Sequence, residues 1–482
     1  MTRELHCAHL LAAADASALI SPARIRISDK QIDQVSTAAA AETNPLLAMP
    51  ALVNAHDHAR AVRSSSFGAA GKPLESWLHY LALLPAVDAY LATAVSLARS
   101  ALGGAGTVMV HYTRVQGLTD YVSEAKEVAR AVRDVGVRVG FAVALRDQNP
   151  LVYGPSEPVM AALPEAARNE VSRRFLRDPM PAEEQIALVD AVAAAVDGPD
   201  FNVQYGPAGV QWCSDALLRA IAHASARTGR RVHMHLLETR YQREWADRAY
   251  SGGIVRYLKN IGLLSPRLTL AHCTWARADE LDLIAEYGAT IAVNTSSNLG
   301  IRSGIAPVAE MVRRGCKVAL GLDGLALDED DDALREMRLA HLLHGGWGYR
   351  ADVSRADVLK MAFCNGHRAV MNREGGRLAA GEPADILLLD WDRIDSDRLR
   401  PDLDPRDLLF ARTHAGHIRE LIVAGRSVVR EGQITGLDLT AMRDELLARF
   451  RAGVAENAAF ASALPHLDRA ICRHFEADAP CC

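Results

Sequence analysis

The chain has 482 residues, 49% of them hydrophobic, with 54 lysines and arginines against 59 aspartates and glutamates, a formal charge of −5. That length exceeds one ordinary domain and fits a large barrel with a smaller appendage. The balanced charge argues against a nucleic-acid partner, no apolar run approaches the ~20 residues of a membrane helix, and Met1 to Ala14 lacks the basic-then-apolar pattern of a secretory leader, so a cytoplasmic protein is expected.

From the N-terminus, Leu5–Leu11, Arg24–Ile27 and Ile32–Val35 read as short strands separated by turn-forming or small residues. Eight short apolar runs follow: Ala51–Ala55, Thr107–His111, Val139–Leu145, Phe201–Tyr205, Val232–Leu236, Leu268–His272, Thr290–Asn294 and Val318–Leu322. Amphipathic stretches such as Ala216–Thr228 and Ala278–Tyr287 separate them, which predicts a parallel α/β architecture. Eight repeats point to a closed (β/α)8 TIM barrel with its chemistry at the C-terminal strand ends. Asp328–Asp332 reads as a solvated helix start stabilised by the helix dipole. Strand texture returns at Ala384–Asp390, Ile418–Val423 and Ser427–Arg430, so the two ends of the chain are expected to share a small β-sandwich. This divides the chain into 1–48 with 375–435 (composite β-domain), 49–374 (barrel) and 436–482 (tail, helical from about Asp438 to Phe460).

The eight cysteines include no CxxC pair, which predicts reduced thiols, with Cys481-Cys482 at a mobile end.

Four predicted strand ends carry metal-competent side chains. The first ends in Asn54-Ala-His56-Asp-His58, the fifth in His233-Met-His235-Leu-Leu-Glu238, the sixth in Ala271-His272 and the eighth in Leu322-Asp323-Gly324. In an extended chain residues i and i+2 share a face, so His56 and His58 aim at one spot. A lone histidine at a strand end is ordinarily structural, and an Asp beside Gly is ordinarily a turn. The joint pattern is what carries weight, because all four fall on the rim where a barrel gathers distant residues.

Nitrogen ligands with one carboxylate suit Zn2+, and Fe2+ accepts the same set. His56, His58, His235 and Asp323 are expected to hold one divalent metal ion and leave a position for water, whose pKa falls towards ~7 on the metal. Glu238 suits a proton shuttle, and His272 is free to orient the attacking oxygen or polarise the bond.

These segments resemble the amidohydrolase superfamily, in the branch of cytosine, guanine and S-adenosylhomocysteine deaminases and triazine chlorohydrolases. The resemblance rests on Met49–His58, Val232–Thr239, Thr295–Pro307, Leu320–Gly324 with the helix Ala333–Leu343, Gly375–Asp385 and Val423–Arg426, and spans about residues 5 to 435. It implies the ligand and catalytic roles given above, with Glu238, His272 and Asp323 catalytic, and a homodimer. Binuclear members carry a bridging lysine after strand four, and Phe201–Pro207 has none, so one metal is expected. Asp57 and Ala51 depart from the branch pattern, as does Gly-Leu before Asp323.

Candidate contacts to a small-molecule substrate are His111 after strand two, Arg146 after strand three, Gln204 in strand four and Trp77 in the helical segment after strand one. The expected reaction is hydrolytic deamination of an amino-substituted N-heterocycle of purine, pterin, pyrimidine or triazine type. The same parts also suit amide or urea hydrolysis or dechlorination. A degenerate, non-catalytic scaffold is the reading from another class, and it conflicts with the complete ligand set.

Overall fold

Strand and helix alternate through the middle of the chain because buried β-branched runs are followed by capped amphipathic segments. The computed structural model describes residues 2–40 and 43–476. Eight parallel strands form one sheet in sequence order: β5 (Leu52–Asp57), β6 (Ala105–Tyr112), β7 (Arg138–Leu145), β8 (Phe201–Pro207), β9 (Val232–Leu236), β10 (Leu268–His272), β11 (Thr290–Val293) and β12 (Lys317–Leu320). All eight expected barrel strands are present. The seam between β12 and β5 is closed at the rim, where the backbone N–H groups of Leu322 and Asp323 donate to the His56 carbonyl at 3.2 and 2.8 Å.

A second eight-stranded sheet, ordered β16-β15-β14-β13-β4-β1-β2-β3, joins the chain ends. It contains β1 (Thr2–Leu10), β2 (Ala23–Ser28), β3 (Gln31–Thr37), β4 (Asn44–Pro50), β13 (Ile386–Asp390), β14 (Ile418–Val423), β15 (Arg426–Arg430) and β16 (Gln433–Ile434). The halves meet where β13 pairs antiparallel with β4, Ile386 opposite Pro50 and Leu388 opposite Ala48. Leu5, Ile25, Ile27, Ile386 and Ile422 pack between them. The sequence carries no strand signal for β4, because Pro45 and Pro50 at its ends read as turn residues.

The lower end of the barrel is plugged. Val370 and Met371, on the helix Asn365–Met371, pack with Val53, Ala55, Met109, Ala142, Ala292 and Ala319. Small interior residues leave room for this plug. Gln204 donates to its Ala369 and Val370 carbonyls at 3.1 and 2.9 Å, and the buried Arg231 reaches Ala369 at 3.1 Å.

Three expectations are corrected. The acidic run is folded in: Asp331 is 1% exposed and Asp328 9%. Asp328 turns inward because it accepts the backbone N–H groups of Asp330 and Asp331 and the Arg335 guanidinium. Asp332 does cap the helix Ala333–His344, through the N–H of Arg335. The tail is two helices, Leu439–Gly453 and Ala458–Phe475, parted by one tight turn, and the second packs onto the segments that follow β5 and β7. Its Cys472 is disulfide-bonded, whereas Cys7, Cys213, Cys273, Cys316 and Cys364 are free thiols. Cys481 and Cys482 lie outside the described residues.

Among the described residues no helix is long and apolar enough to cross a membrane.

The plug leaves no slack at Gly140, where a Cβ would lie 2.7 Å from the Val370 carbonyl oxygen and 2.8 Å from Met109 Cε. Gly140→Ala is expected to lower stability by about 1–3 kcal/mol, read as a fall in the thermal midpoint, with the metal content of the remaining folded protein unchanged.

Candidate metal centre

At the end of β5 the chain turns on Asp57. Its Oδ1 accepts the backbone N–H groups of His58 and Ala59 at 2.6 and 2.7 Å, and its Oδ2 accepts Asn54 Nδ2 at 2.6 Å. This fixes Ala59 at a φ of 51°, a left-handed value that a side-chain-bearing residue adopts only when its surroundings impose it. The residue that departs from the branch pattern is thus the one that shapes the turn after the HxH pair. The Glu238 end of β9 is set by Thr239, whose hydroxyl accepts the Gln242 N–H and caps the helix Arg240–Ala249.

The histidine rings are held from behind. Nδ1 of His58 donates to the His111 carbonyl at 2.6 Å, and Nδ1 of His235 donates to the Ala208 carbonyl at 2.6 Å. A carbonyl only accepts, so both rings carry the proton on Nδ1 and turn a bare Nε2 forward. His56 Nδ1 is paired with His233 Nε2 at 2.7 Å. His272 Nδ1 donates to Asn298 Oδ1 at 2.8 Å.

In front, the donor atoms converge. His58 and His56 Nε2 lie 3.1 and 3.4 Å from Asp323 Oδ1, and His58 and His235 Nε2 are 3.3 Å apart. His56 Nε2 is buried with no hydrogen-bond partner. Asp323 Oδ2 is occupied by the Ser297 hydroxyl at 2.7 Å. The bare nitrogens of His58 and His235 face each other and the Asp323 carboxylate, an arrangement that a cation between them relieves. The donor set and its unpartnered nitrogen therefore fit one divalent metal ion.

Glu238 and His272 flank this centre. His272 Nε2 is 3.7 Å from Glu238 Oε1 and 3.8 Å from Asp323 Oδ2. Burial, followed by the Asp323 and Glu75 carboxylates, pushes the Glu238 carboxyl well above the ordinary glutamate range. Burial holds His58 and His235 well below the usual histidine range and takes His272 down to about 4. These rings are neutral near pH 7 and free to donate lone pairs.

A cavity of about 460 Å³ opens from the centre. Of the expected contacts, Trp77 and Arg146 line it. Trp77 Nε1 donates to Ser64 Oγ at 2.8 Å, and the Arg60 guanidinium lies 4.8 Å from its ring centroid. Gln204 does not reach the cavity, because its amide is spent on the plug helix at the barrel's lower end. His111 does not line it either. Its ring stacks on His235 at 4.8 Å and is tied to the Gly206 carbonyl at 2.9 Å, so it buttresses the ligand rings. Side chains that sequence reasoning passed over also line the cavity, among them Arg60, Glu75, Tyr153, Trp212 and Phe475. Arg60 stands two residues past His58, a spacing that carries a signal; Tyr153 and Phe475 come from irregular or remote segments that carry none.

The Amidohydrolase family model matches residues 47–428. The 5'-deoxyadenosine deaminase of Methanothermobacter thermautotrophicus is 29% identical, over 81% of this chain and 84% of its own. The 5-methylthioadenosine/S-adenosylhomocysteine deaminase of Moorella thermoacetica is 27% identical, over 86% of this chain and 88% of its own. Among solved structures, a zinc-bound adenosine deaminase from Xanthomonas campestris superposes with a TM-score of 0.77 at 20% identity, covering 93% of this chain and 98% of its own. The atrazine chlorohydrolase of Arthrobacter aurescens, with zinc and atraton, gives 0.77 at 21% identity, covering 94% and 99%. With a barrel closed through His56, a lone-pair cluster on its rim and a family match across most of its length, this chain belongs to the amidohydrolase family.

Proposed function

We propose that this protein is a zinc-dependent hydrolytic deaminase of an amino-substituted N-heterocycle, of the kind that the names of its adenosine-type relatives describe. The observation that carries the reading is the position of Glu238, a buried carboxyl of raised proton affinity directly beside the convergent donors and open to the cavity. His56, His58, His235 and Asp323 hold the ion, and zinc bound there lowers the pKa of water and makes it nucleophilic near neutral pH.

The chain's own residues do the rest. The cavity that seats the ring is lined by Trp77 and by Arg146, a cation whose fork suits a carbonyl or carboxylate on the substrate. Asp323 lies within reach of both His272 and the ligand rings and orients the attacking water oxygen. Glu238 takes one proton from that water and gives it to the ring nitrogen as the oxygen adds to the carbon, then takes the proton of the new hydroxyl and gives it to the departing amino group as the C=O forms. The new C–O bond replaces the broken C–N bond, and the products are the oxo-heterocycle and ammonia. His272, neutral and anchored behind through its Nδ1–H to Asn298, turns a bare Nε2 forward that accepts the O–H of the attacking oxygen and so orients it.

The direct test is ammonia release by zinc-loaded protein from a panel of aminopurines, aminopterins, aminopyrimidines and aminotriazines. Ammonia from at least one ring is expected; turnover confined to amides, ureas or chlorotriazines would refute deamination.

His235→Ala should lose metal and activity together, read by elemental analysis beside the ammonia assay. Glu238→Gln should retain stoichiometric metal and lose about 10²–10⁴-fold in kcat. A fully active Glu238→Gln would remove the proton-transfer role. The buried histidines also predict an acid limit on stability. His272 and His79, each lowered to about 4 by burial, bind fewer protons folded than unfolded below about pH 6.5. Their stabilisation is present above that pH and is lost as pH falls towards 4, by about 1.4 kcal/mol per pH unit for each ring inside the window. The thermal midpoint of metal-free protein should therefore fall steadily from pH 6.5 to 4.

A further inference from the structure

The Ala458–Phe475 helix lies outside the residues matched by the family model, and the reading above gives it no role. Its attachment is specific. At its start, Asn457 Oδ1 accepts Arg174 at 2.6 Å and its amide donates to the Leu83 carbonyl at 3.0 Å. Midway, Asp468 accepts Lys72 at 2.8 Å and the Tyr80 hydroxyl at 3.0 Å. Just past its end, Glu476 accepts the Tyr241 hydroxyl at 2.7 Å and pairs with Arg240, two residues after Glu238. Phe460, Leu464, Leu467 and Ile471 pack against Leu151, Val159, Leu163 and Val171 of the segment after β7. The helix is thus bolted to three segments that border the cavity.

At its end stands Phe475. Its ring centroid is 5.2 Å from that of Tyr153 at an interplanar angle of 63°, and Tyr153 meets Trp212 at 5.8 Å and 72°. All three rings line the cavity. Tyr153 cannot swing freely, because its hydroxyl donates to Glu75 Oε1 at 2.7 Å, an oxygen that also accepts the Thr239 hydroxyl. Phe475 has no polar atom, so it contributes shape alone.

We propose that Phe475 is a specificity-determining residue: the helix holds its ring as the outer wall of the substrate cavity, where it sets how large an apolar substituent the heterocycle can carry. The proposal rests on the deaminase reading for its ligand. In an apolar pocket one methylene changes kcat/KM by about 10–200-fold, so a displaced wall has a measurable signature.

The test uses the full-length, zinc-loaded protein with 6-aminopurines carrying methyl, propyl or benzyl at N9. Phe475→Ala should raise the benzyl-to-methyl ratio of kcat/KM at least about tenfold. Phe475→Trp, which keeps the apolar contacts, should lower it by a similar factor. A ratio unchanged in both variants overturns the proposal. Ammonia from none of these compounds counts against the deaminase reading instead. The wall is then judged by acrylamide quenching of Trp212, isolated by difference against Trp212→Phe. Stronger quenching in Phe475→Ala supports the wall, and equal quenching overturns it.

Discussion

Mutual repulsion among buried lone pairs is the constraint around which the rest of this molecule is arranged. The forward nitrogens of His58 and His235 are 3.3 Å apart, and an Asp323 oxygen sits 3.1 Å from the first. Two main-chain carbonyls forbid these rings from relieving the conflict by moving a proton to the front. A positive ion at the centre makes the arrangement favourable. The scaffold commits to it with backbone that is costly by itself: Ala59, Leu237, His272 and Asp323 all have φ between 51° and 74°. Each stands at or just past a strand end, where the chain must turn a side chain inward within one residue.

Burial then divides the labour among similar groups. The same exclusion of water that keeps the histidines neutral raises the proton affinity of Glu238. A neutral imidazole can offer a lone pair and a carboxyl with raised affinity can carry a proton, so one environment suits two tasks. His111 belongs to this arrangement although it touches no cavity. Its carbonyl fixes the His58 ring, and its own ring supports that of His235.

The sequence made the barrel legible because a buried parallel strand is a short unbroken apolar run, and all eight such runs became strands. The rim residues were legible through their i, i+2 spacing and their shared place at strand ends. Gln204 shows where that logic stops. It stands in a barrel strand and points inward, as its position implies, but near the lower end, where a helix from much later in the chain claims its amide. Depth along a strand is not written in its periodicity. The acidic run at Asp328–Asp332 misleads similarly, since composition favours solvent while the backbone donors of the run itself draw Asp328 inside. Phe475 lies far beyond Asp323, the last of the expected ligands along the chain, and no local pattern ties it to the barrel rim.

The placement of the Ala458–Phe475 helix separates two heritable traits. The candidate donor groups lie between residues 56 and 323, whereas Phe475, on one side of the cavity, is supplied by a stretch beginning at residue 458 that contains none of them. A change in that stretch can therefore reshape the cavity without displacing any of the rim donors.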